Sequence, residues 1–227
     1  MESRGEAEVT EYCEGVYQRT YELWRSLEDQ FPTWGCRFGI LYGPPSFRPD
    51  LLIVGRNPGF NPDDLFDEEV VTWPSENEYI RKHWPLAKKL RMVFDDAGKG
   101  SLLANSLGTN KLFFKSKSIA REKSGLGWQD NPLAIRQRLE GFCSKELTNL
   151  IDFLEPKTVL ALGLSVFDEM ADSTDRDLLS FKNRRLARFG SSNGRPMIGV
   201  IHPTGARVSN EDWSIVASEL SRELSNQ

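Results

Sequence analysis

The chain has 227 residues, of which 39% are hydrophobic, enough for a full core. We expect a single domain over residues 1–227, with residues 1–48 forming an N-terminal helical segment packed on it. No apolar run approaches the roughly 20 residues of a membrane helix, so no membrane partner is expected. The acidic start does not resemble a signal peptide, which predicts an intracellular, cytoplasmic protein. Three widely spaced cysteines without a CxxC motif fit a reducing compartment and argue against a metal site.

The formal net charge of −4 does not indicate a nucleic-acid binder, but the charges are unevenly distributed. Residues 1–108 hold 12 basic and 18 acidic side chains, whereas residues 109–207 hold 16 basic and 11 acidic ones. A basic face would attract phosphates, with a contribution that falls steeply as salt rises. The alternative is two solvated surface stretches. The excess comes from Lys111, Lys115, Lys117, Arg121, Lys123, Lys182, Arg184, Arg185 and Arg188.

The first half of the chain begins with a predicted helix followed by a strand. Residues 7–30 have the apolar spacing of an amphipathic helix, and residues 50–54 form the first buried strand. A long turn then leads to a helix over residues 77–97, which Pro85 should kink or split. Residues 111–114 are predicted to form a second, short strand.

The second half continues the alternation of helices and strands. A helix over residues 132–154 precedes a strand over 158–162, and Gly163 leads into a short helix. A strand over residues 197–201 and a helix over 211–224 complete the pattern. Strands separated by helices imply parallel crossovers, so we expect an α/β fold. Its predicted architecture is a three-layer α/β/α sandwich with a central four-stranded, mainly parallel sheet.

Polar side chains follow the ends of two predicted strands. The first strand runs into Gly55-Arg56-Asn57-Pro58-Gly59, and the last one into His202-Pro203-Thr204-Gly205. In an open parallel sheet, ligands bind outside the carboxyl ends of the strands. Asn57 and His202 are therefore expected on two sides of one pocket.

The ordered set of motifs between residues 50 and 207 resembles the uracil-DNA glycosylase superfamily. Gly55-Arg56-Asn57-Pro58-Gly59 is similar to the first motif of the mismatch-specific and single-strand-selective branches. Thr109-Asn110 resembles the middle segment that reads the base, and His202-Pro203-Thr204-Gly205-Ala206-Arg207 the last motif. The resemblance implies a monomeric, monofunctional DNA glycosylase that flips a pyrimidine nucleotide and hydrolyses its bond to deoxyribose. It implies no cofactor and no metal.

The resemblance gives Asn57 and His202 the catalytic roles. Glycosidic cleavage in this family releases a pyrimidine anion, and His202 is the candidate donor to that anion. Loss of such a donor typically costs about 2.7–4 kcal/mol. Asn57 cannot act as a general base, because an amide takes up no proton near neutral pH. It would position the attacking water, and such an enzyme is expected to be slower than relatives with Asp. The alternative is an Asn-Pro turn that only caps a strand.

The resemblance places Gly55, Pro58, Gly59 and Phe60 around the base. Phe60 is the nearest aromatic for stacking. Phe66 and Trp73 are the alternatives, and any of the three could simply belong to the core. Stacking of a base on an aromatic ring is worth about 1–3 kcal/mol.

Asn110 is the candidate reader of the flipped base. Its amide has donors and an acceptor, which suits a Watson–Crick edge. Asn105 is the alternative, and Asn110 is preferred because it adjoins the predicted strand.

Gly59 bears on the substrate. In the most uracil-restricted branch, a tyrosine at this position blocks the pyrimidine 5-position. The hypothesis is that this chain accepts C5-substituted pyrimidines, including hydroxymethylated or glucosylated cytosines of phage DNA, as well as or instead of uracil. The alternative is a glycine that only permits the turn.

DNA contacts are expected from the basic loop and from the loop of the last motif. Arg207 would fill the space left by the flipped base or bind a phosphate, unless it is an ordinary surface arginine. The other histidine, His83, is expected to be solvated or part of the core. The predicted DNA-binding residues are Lys111, Lys115, Lys117, Thr204, Gly205, Ala206 and Arg207.

Two other classes of function compete with the glycosylase. The first is a non-catalytic DNA-binding or inhibitory protein on the same fold, which the neutral Asn57 would permit. The second is an unrelated α/β hydrolase or nucleotide-binding protein, although no Gly-x-Ser-x-Gly, P-loop or Gly-x-Gly-x-x-Gly motif is present. The cellular role would be DNA repair or defence against modified foreign DNA.

Overall fold

The computed structural model describes residues 4–27, 30, 38–59, 72–180, 182–204 and 208–225. Within these residues the chain forms six strands, seven α-helices and a short 3-10 helix at Trp128–Asp130. The strands are β1 (Leu51–Gly55), β2 (Leu107–Asn110), β3 (Thr158–Leu162), β4 (Ser173–Leu179), β5 (Arg185–Ser192) and β6 (Arg195–Val200). The α-helices are α1 (Glu6–Arg25), α2 (Glu78–Arg81), α3 (Pro85–Asp96), α4 (Gly100–Ala104), α5 (Leu133–Leu154), α6 (Leu164–Met170) and α7 (Asn210–Glu223).

The strands form one mixed sheet in the order β2-β1-β3-β6-β5-β4. Strands β2, β1, β3 and β6 are parallel to one another. Strand β5 is antiparallel to β6, and β4 is antiparallel to β5. The predicted α/β fold is confirmed. The predicted four-stranded parallel sheet corresponds to β2, β1, β3 and β6, but the sheet described here has six strands rather than four.

Helices cover both faces of the sheet, as the predicted three-layer arrangement requires. On one face, Leu52 and Val54 of β1 share a buried cluster with residues of α1 and α5. On the other, Leu51 and Ile53 share a cluster with residues of α3 and α7. Because adjacent side chains of a strand point to opposite faces, the continuous apolar run of β1 supplies both cores. We refer below to the α1/α5 face and the α3/α7 face.

The predicted position of the second strand was wrong. Residues 111–114 are buried but irregular, and β2 lies just before them, at Leu107–Asn110. The apolar Leu112, Phe113 and Phe114 suggested a strand, yet they fill the core from a non-strand segment. Position 108 in β2 requires a glycine, because a Cβ there would clash with Tyr79 Cε2 at 2.6 Å.

The β4–β5 hairpin was not predicted. Its outer strand β4 is largely exposed and charged, without the apolar alternation that marks a half-buried strand. Ion pairs between β4 and β5 join Asp177 to Arg185 and Arg188. The turn that joins β5 to β6 does have a local sequence signal, the Asn-Gly pair. Asn193 and Gly194 join β5 to β6 with φ values of 49° and 71°, as a two-residue hairpin turn requires.

The helices follow the predictions more closely. The predicted break at Pro85 is confirmed, since α2 ends at Arg81 and α3 begins at Pro85. The first helix ends at Arg25, five residues before the predicted end. The short helix α4, which leads into β2, was not predicted.

Candidate active site at the carboxyl edge of the parallel strands

The candidate residues lie at one edge of the sheet, where the parallel strands end. Val54 on β1 pairs with Ala161 on β3, which in turn pairs with Gly199 on β6. Asn57 follows the end of β1 by two residues, and His202 follows the end of β6 by two residues. One strand separates β1 from β6, which sets the two strand ends roughly 10 Å apart.

The Asn57 side chain is held by the segment that follows β2. Its Nδ2 donates to the Ser116 carbonyl oxygen over 3.2 Å, to Ser116 Oγ over 2.8 Å and to the Pro58 carbonyl oxygen over 2.9 Å. Carbonyl oxygens only accept, so the atom that faces them must be the nitrogen. Within the described residues, no group donates to Asn57 Oδ1, which leaves this oxygen as an acceptor.

The turn that carries Asn57 runs beside the irregular segment 111–116. Lys111 N–H donates to the Gly55 carbonyl, Leu112 N–H to that of Arg56, and Ser116 N–H to that of Pro58. These hydrogen bonds continue the β1–β2 pairing beyond both strands. They hold the turn that carries Asn57 against residues 111–116.

Asn110 ends β2 beside Gly55, its partner in the register. Its side chain is buried on the α3/α7 face, where Nδ2 donates to Tyr42 Oη over 2.5 Å. A Cβ on Gly55 would lie 2.4 Å from Asn110 Oδ1, so the amide needs a glycine at this position. Asn105 is exposed and precedes β2, at the opposite edge of the sheet. Of the two predicted readers, only Asn110 lies at the candidate site.

His202 stands half-buried beside Gly163, the residue that follows β3. A Cβ on Gly163 would lie 3.9 Å from both His202 Cβ and Cδ2. Thr204 N–H donates to His202 Nδ1 over 3.3 Å, and a backbone N–H can only donate. A neutral ring that carries its proton on Nε2 fits this contact. Burial lowers the pKa of His202, which favours the same neutral form.

Gly59 has no close neighbour among the described residues, and the predicted stacking residue lies outside the described part of the chain. Pro58 is buried, Gly59 is exposed, and no described residue would contact a Cβ on Gly59. Phe60 and its alternative Phe66 fall outside the described residues. Trp73 packs against the core, with its ring edge on Tyr17 at 5.7 Å between centroids.

The predicted DNA-binding lysines are not equally available. Lys111 is half-buried and forms an ion pair with Glu169 of α6, which also binds Arg56 through two hydrogen bonds of 2.7 and 2.8 Å. Lys117 is exposed and lies 3.6 Å from Glu122. Lys115 is half-buried, and Thr204 is exposed. Gly205, Ala206 and Arg207 lie outside the described residues.

A cavity of about 380 Å³ opens beside Arg56 and Lys111. Its lining combines the apolar Leu112, Ile119 and Trp128 with Glu140 and Glu169. Leu112 and Trp128 belong to the core of the α1/α5 face, whereas Asn110 lies on the other face. The amide of Asn110 therefore does not line this cavity.

The other histidine lies away from the candidate site, and the described residues show neither a metal-binding group nor a membrane-spanning helix. His83 is exposed and lies between α2 and α3. Across the described ranges, no group of three or more His, Cys, Asp or Glu side chains could hold a metal ion. None of the described helices has both the length and the apolar composition needed to cross a membrane.

Two supporting residues were missed by sequence reasoning. Tyr42 holds Asn110 and Ser116 holds Asn57, across separations of 68 and 59 residues. No local pattern marks such contacts, because they depend on how the strands assemble. No protein-family model matches the chain, and no curated protein matches its sequence.

Proposed function

We propose that this chain is a monofunctional DNA glycosylase of the uracil-DNA glycosylase superfamily. It would flip a pyrimidine nucleotide, excise uracil or a C5-modified pyrimidine, and leave an abasic site. The observation that supports this most is the common placement of Asn57, Asn110 and His202. Each ends or follows a parallel strand at the same edge, in the order that the motif resemblance implies.

His202 is the donor to the departing base. Its neutral ring offers Nε2–H, while Nδ1 is occupied by the Thr204 N–H. When the glycosidic bond breaks, the bonding electron pair leaves with the base, and a donor aimed at the anion stabilises charge absent from the ground state. One such donor is worth about 2.7–4 kcal/mol, or two to three orders of magnitude in rate.

Asn57 orients the attacking water. Its Nδ2 is committed to Ser116 and Pro58, so Oδ1 is the atom that accepts a hydrogen bond from water. The water oxygen bonds to the sugar carbon as the base departs, and the surplus proton passes to solvent. Because an amide cannot remove this proton, the reaction is expected to be slower than with a carboxylate here.

Asn110 and Gly59 account for recognition of the base. Asn110 is 4% exposed, so its amide must be uncovered when a base enters. Gly59 leaves space where a side chain would block a pyrimidine 5-position. Hydroxymethylated and glucosylated cytosines of phage DNA are therefore included as substrates, which would connect the enzyme to defence as well as to repair.

The experiment measures free-base release by mass spectrometry from DNA that contains uracil, 5-hydroxymethyluracil, hypoxanthine or glucosylated hydroxymethylcytosine. Asn57→Ala and His202→Ala should each lower release by roughly two to three orders of magnitude, with DNA binding largely retained. The matched controls are Asn105→Ala and His83→Ala, which change exposed residues of the same types away from the edge. Both controls should retain wild-type rates.

The outcomes separate the alternatives. Wild-type rates in both Asn57→Ala and His202→Ala would refute the catalytic assignment. DNA binding without release of any base would instead favour a non-catalytic DNA-binding or inhibitory protein, which the neutral Asn57 permits. Full activity on uracil without turnover of any C5-substituted base would refute the open-pocket hypothesis alone.

A further inference from the structure

The β4–β5 hairpin brings a second set of residues to the edge that carries His202. β5 runs antiparallel to β6, with Ala187 opposite Val200. The pairing continues as Ile201 N–H donates to the Leu186 carbonyl over 2.8 Å. One further step in this register places Arg185 opposite His202. The tip between β4 and β5 therefore lies at the carboxyl edge of the parallel strands.

Ser180 anchors the described residues of the hairpin tip. Ser180 is buried, and its Oγ accepts hydrogen bonds from the N–H groups of Lys182 and Arg184 over 3.2 and 3.0 Å. The Ser180 N–H donates to the Arg184 carbonyl over 2.7 Å. Asn183 between them has a φ of 56°, a conformation that asparagine tolerates better than most residues. These hydrogen bonds tie the backbone at Lys182 and Arg184 to Ser180.

The tip is strongly basic. Residues 180–188 contain four basic side chains and no acidic one. Acidic neighbours pair with Arg185 and Arg188 farther down the hairpin. Lys182 and Arg184 are exposed at the tip itself. Within the described residues, no acidic side chain forms an ion pair with Lys182.

We propose that Lys182 and Arg184 bind backbone phosphates of the DNA strand whose nucleotide enters the site at His202. This inference rests on the proposed function, because it takes DNA as the ligand. The tip lies one to two strand spacings from His202, or roughly 5–10 Å. A DNA strand advances about 3.4 Å per nucleotide, so the contacted phosphates would lie within about three nucleotides of the flipped one.

The test measures how DNA affinity depends on salt. Fluorescence anisotropy with undamaged single- and double-stranded oligonucleotides would compare wild type with Lys182→Gln/Arg184→Gln between roughly 50 and 400 mM salt. Loss of two phosphate contacts should reduce the slope of log affinity against log salt by about 1.8 for the duplex and by about 1.4 for the single strand. At about 0.1 M salt the variant should bind the duplex roughly 60-fold and the single strand roughly 25-fold more weakly, with the curves converging towards 1 M. Lys182→Gln alone should reduce the slope by about one and disturbs the turn least.

The matched control is Lys157→Gln/Arg195→Gln, which removes the same charge at the opposite edge. Lys157 precedes β3 and pairs with Asp50, and Arg195 begins β6 and pairs with Asp152. A control slope equal to that of wild type, together with a reduced slope in the tip variants, supports the assignment. An unchanged slope in the tip variants refutes it, even if base release is confirmed. A wild-type protein that binds neither DNA refutes this inference and the proposed function together, whereas binding without base release refutes catalysis alone.

Discussion

The parallel strand ends and the β4–β5 hairpin meet at one edge of the sheet but differ in the kind of polar group they carry. All residues of β1 and β3 are buried, and the three residues proposed to act on the nucleotide at this edge are two amides and an imidazole, whereas the charged Arg56 and Lys111 beside them are paired with Glu169. Most of β4 is exposed, and two of its charged residues, Arg176 and Asp177, form ion pairs with α7 and β5. A buried charge without a partner is costly, whereas a hydrogen-bonded amide is not. The comparison suggests that the buried part serves the reaction and the exposed part serves attraction of the substrate.

The largest loss should come from a substitution that disturbs the buried part without changing its charge. Gly55→Ala places a methyl group where Asn110 Oδ1 now lies, so the amide must move within a packed strand pair. We expect a loss of about 1–3 kcal/mol in the free energy of unfolding, together with slower base release. Urea unfolding and single-turnover assays would measure the two effects, and the salt slope of DNA binding should not change.

Gly141→Ala is the matched control for this substitution. Gly141 lies in α5, and a Cβ there would meet no atom of the described residues within 4 Å. Alanine at an unhindered helix position should raise the free energy of unfolding by about 0.4–1 kcal/mol. If Gly55→Ala were as stable as wild type, the contact between Gly55 and Asn110 would be wrong.

Tyr42→Phe is a smaller change to the same part of the molecule. It removes the hydroxyl that accepts from Asn110 Nδ2, and one such hydrogen bond contributes about 0.5–1.5 kcal/mol. We expect this loss in urea unfolding and a several-fold slower base release, because the amide loses its orientation.

Tyr17→Phe provides the comparison for Tyr42→Phe. Tyr17 is also buried, and its hydroxyl accepts from the Leu41 N–H over 3.0 Å. It should lose similar stability with no change in base release. Equal rates for the two variants would show that Tyr42 has only a structural role.

The smallest expected effect is a pH dependence of stability from His202. Burial lowers its pKa in the folded protein, so the unfolded chain binds a proton first as the pH falls below about 6.5. The free energy of unfolding should therefore decrease as the pH falls from about 6.5 to the pKa of His202 in the folded protein. Below that pKa, His202 should cause no further loss. Urea unfolding of wild type and His202→Gln across this range would reveal it, with His83→Gln as the control. An identical pH slope in wild type and His202→Gln would contradict the buried, neutral ring.

The positions of strands and helices were easiest to predict where a hydrophobic run ends at a glycine or where a proline interrupts a helix. The continuous apolar runs before Gly55 and Gly163 correctly located β1 and β3, and Pro85 correctly located a helix start. Asn110 lies at the carboxyl edge and Asn105 does not, but the strand expected to follow Asn110 instead ends at that residue. The failures concern features without a local signal. Charged β4 depends on ion pairs with β5, and Tyr42 and Ser116 reach the site only through tertiary contacts.

The exposed strand β4 has a consequence for how the sheet ends. It is the last strand in the order, and within the described residues no further strand pairs with it. Unpaired strand edges invite pairing with another chain, and charged side chains and bulges oppose this. β4 carries Asp175, Arg176 and Asp177, and its register shifts twice along β5. These features protect the sheet from edge-to-edge aggregation while the chain keeps an exposed hairpin.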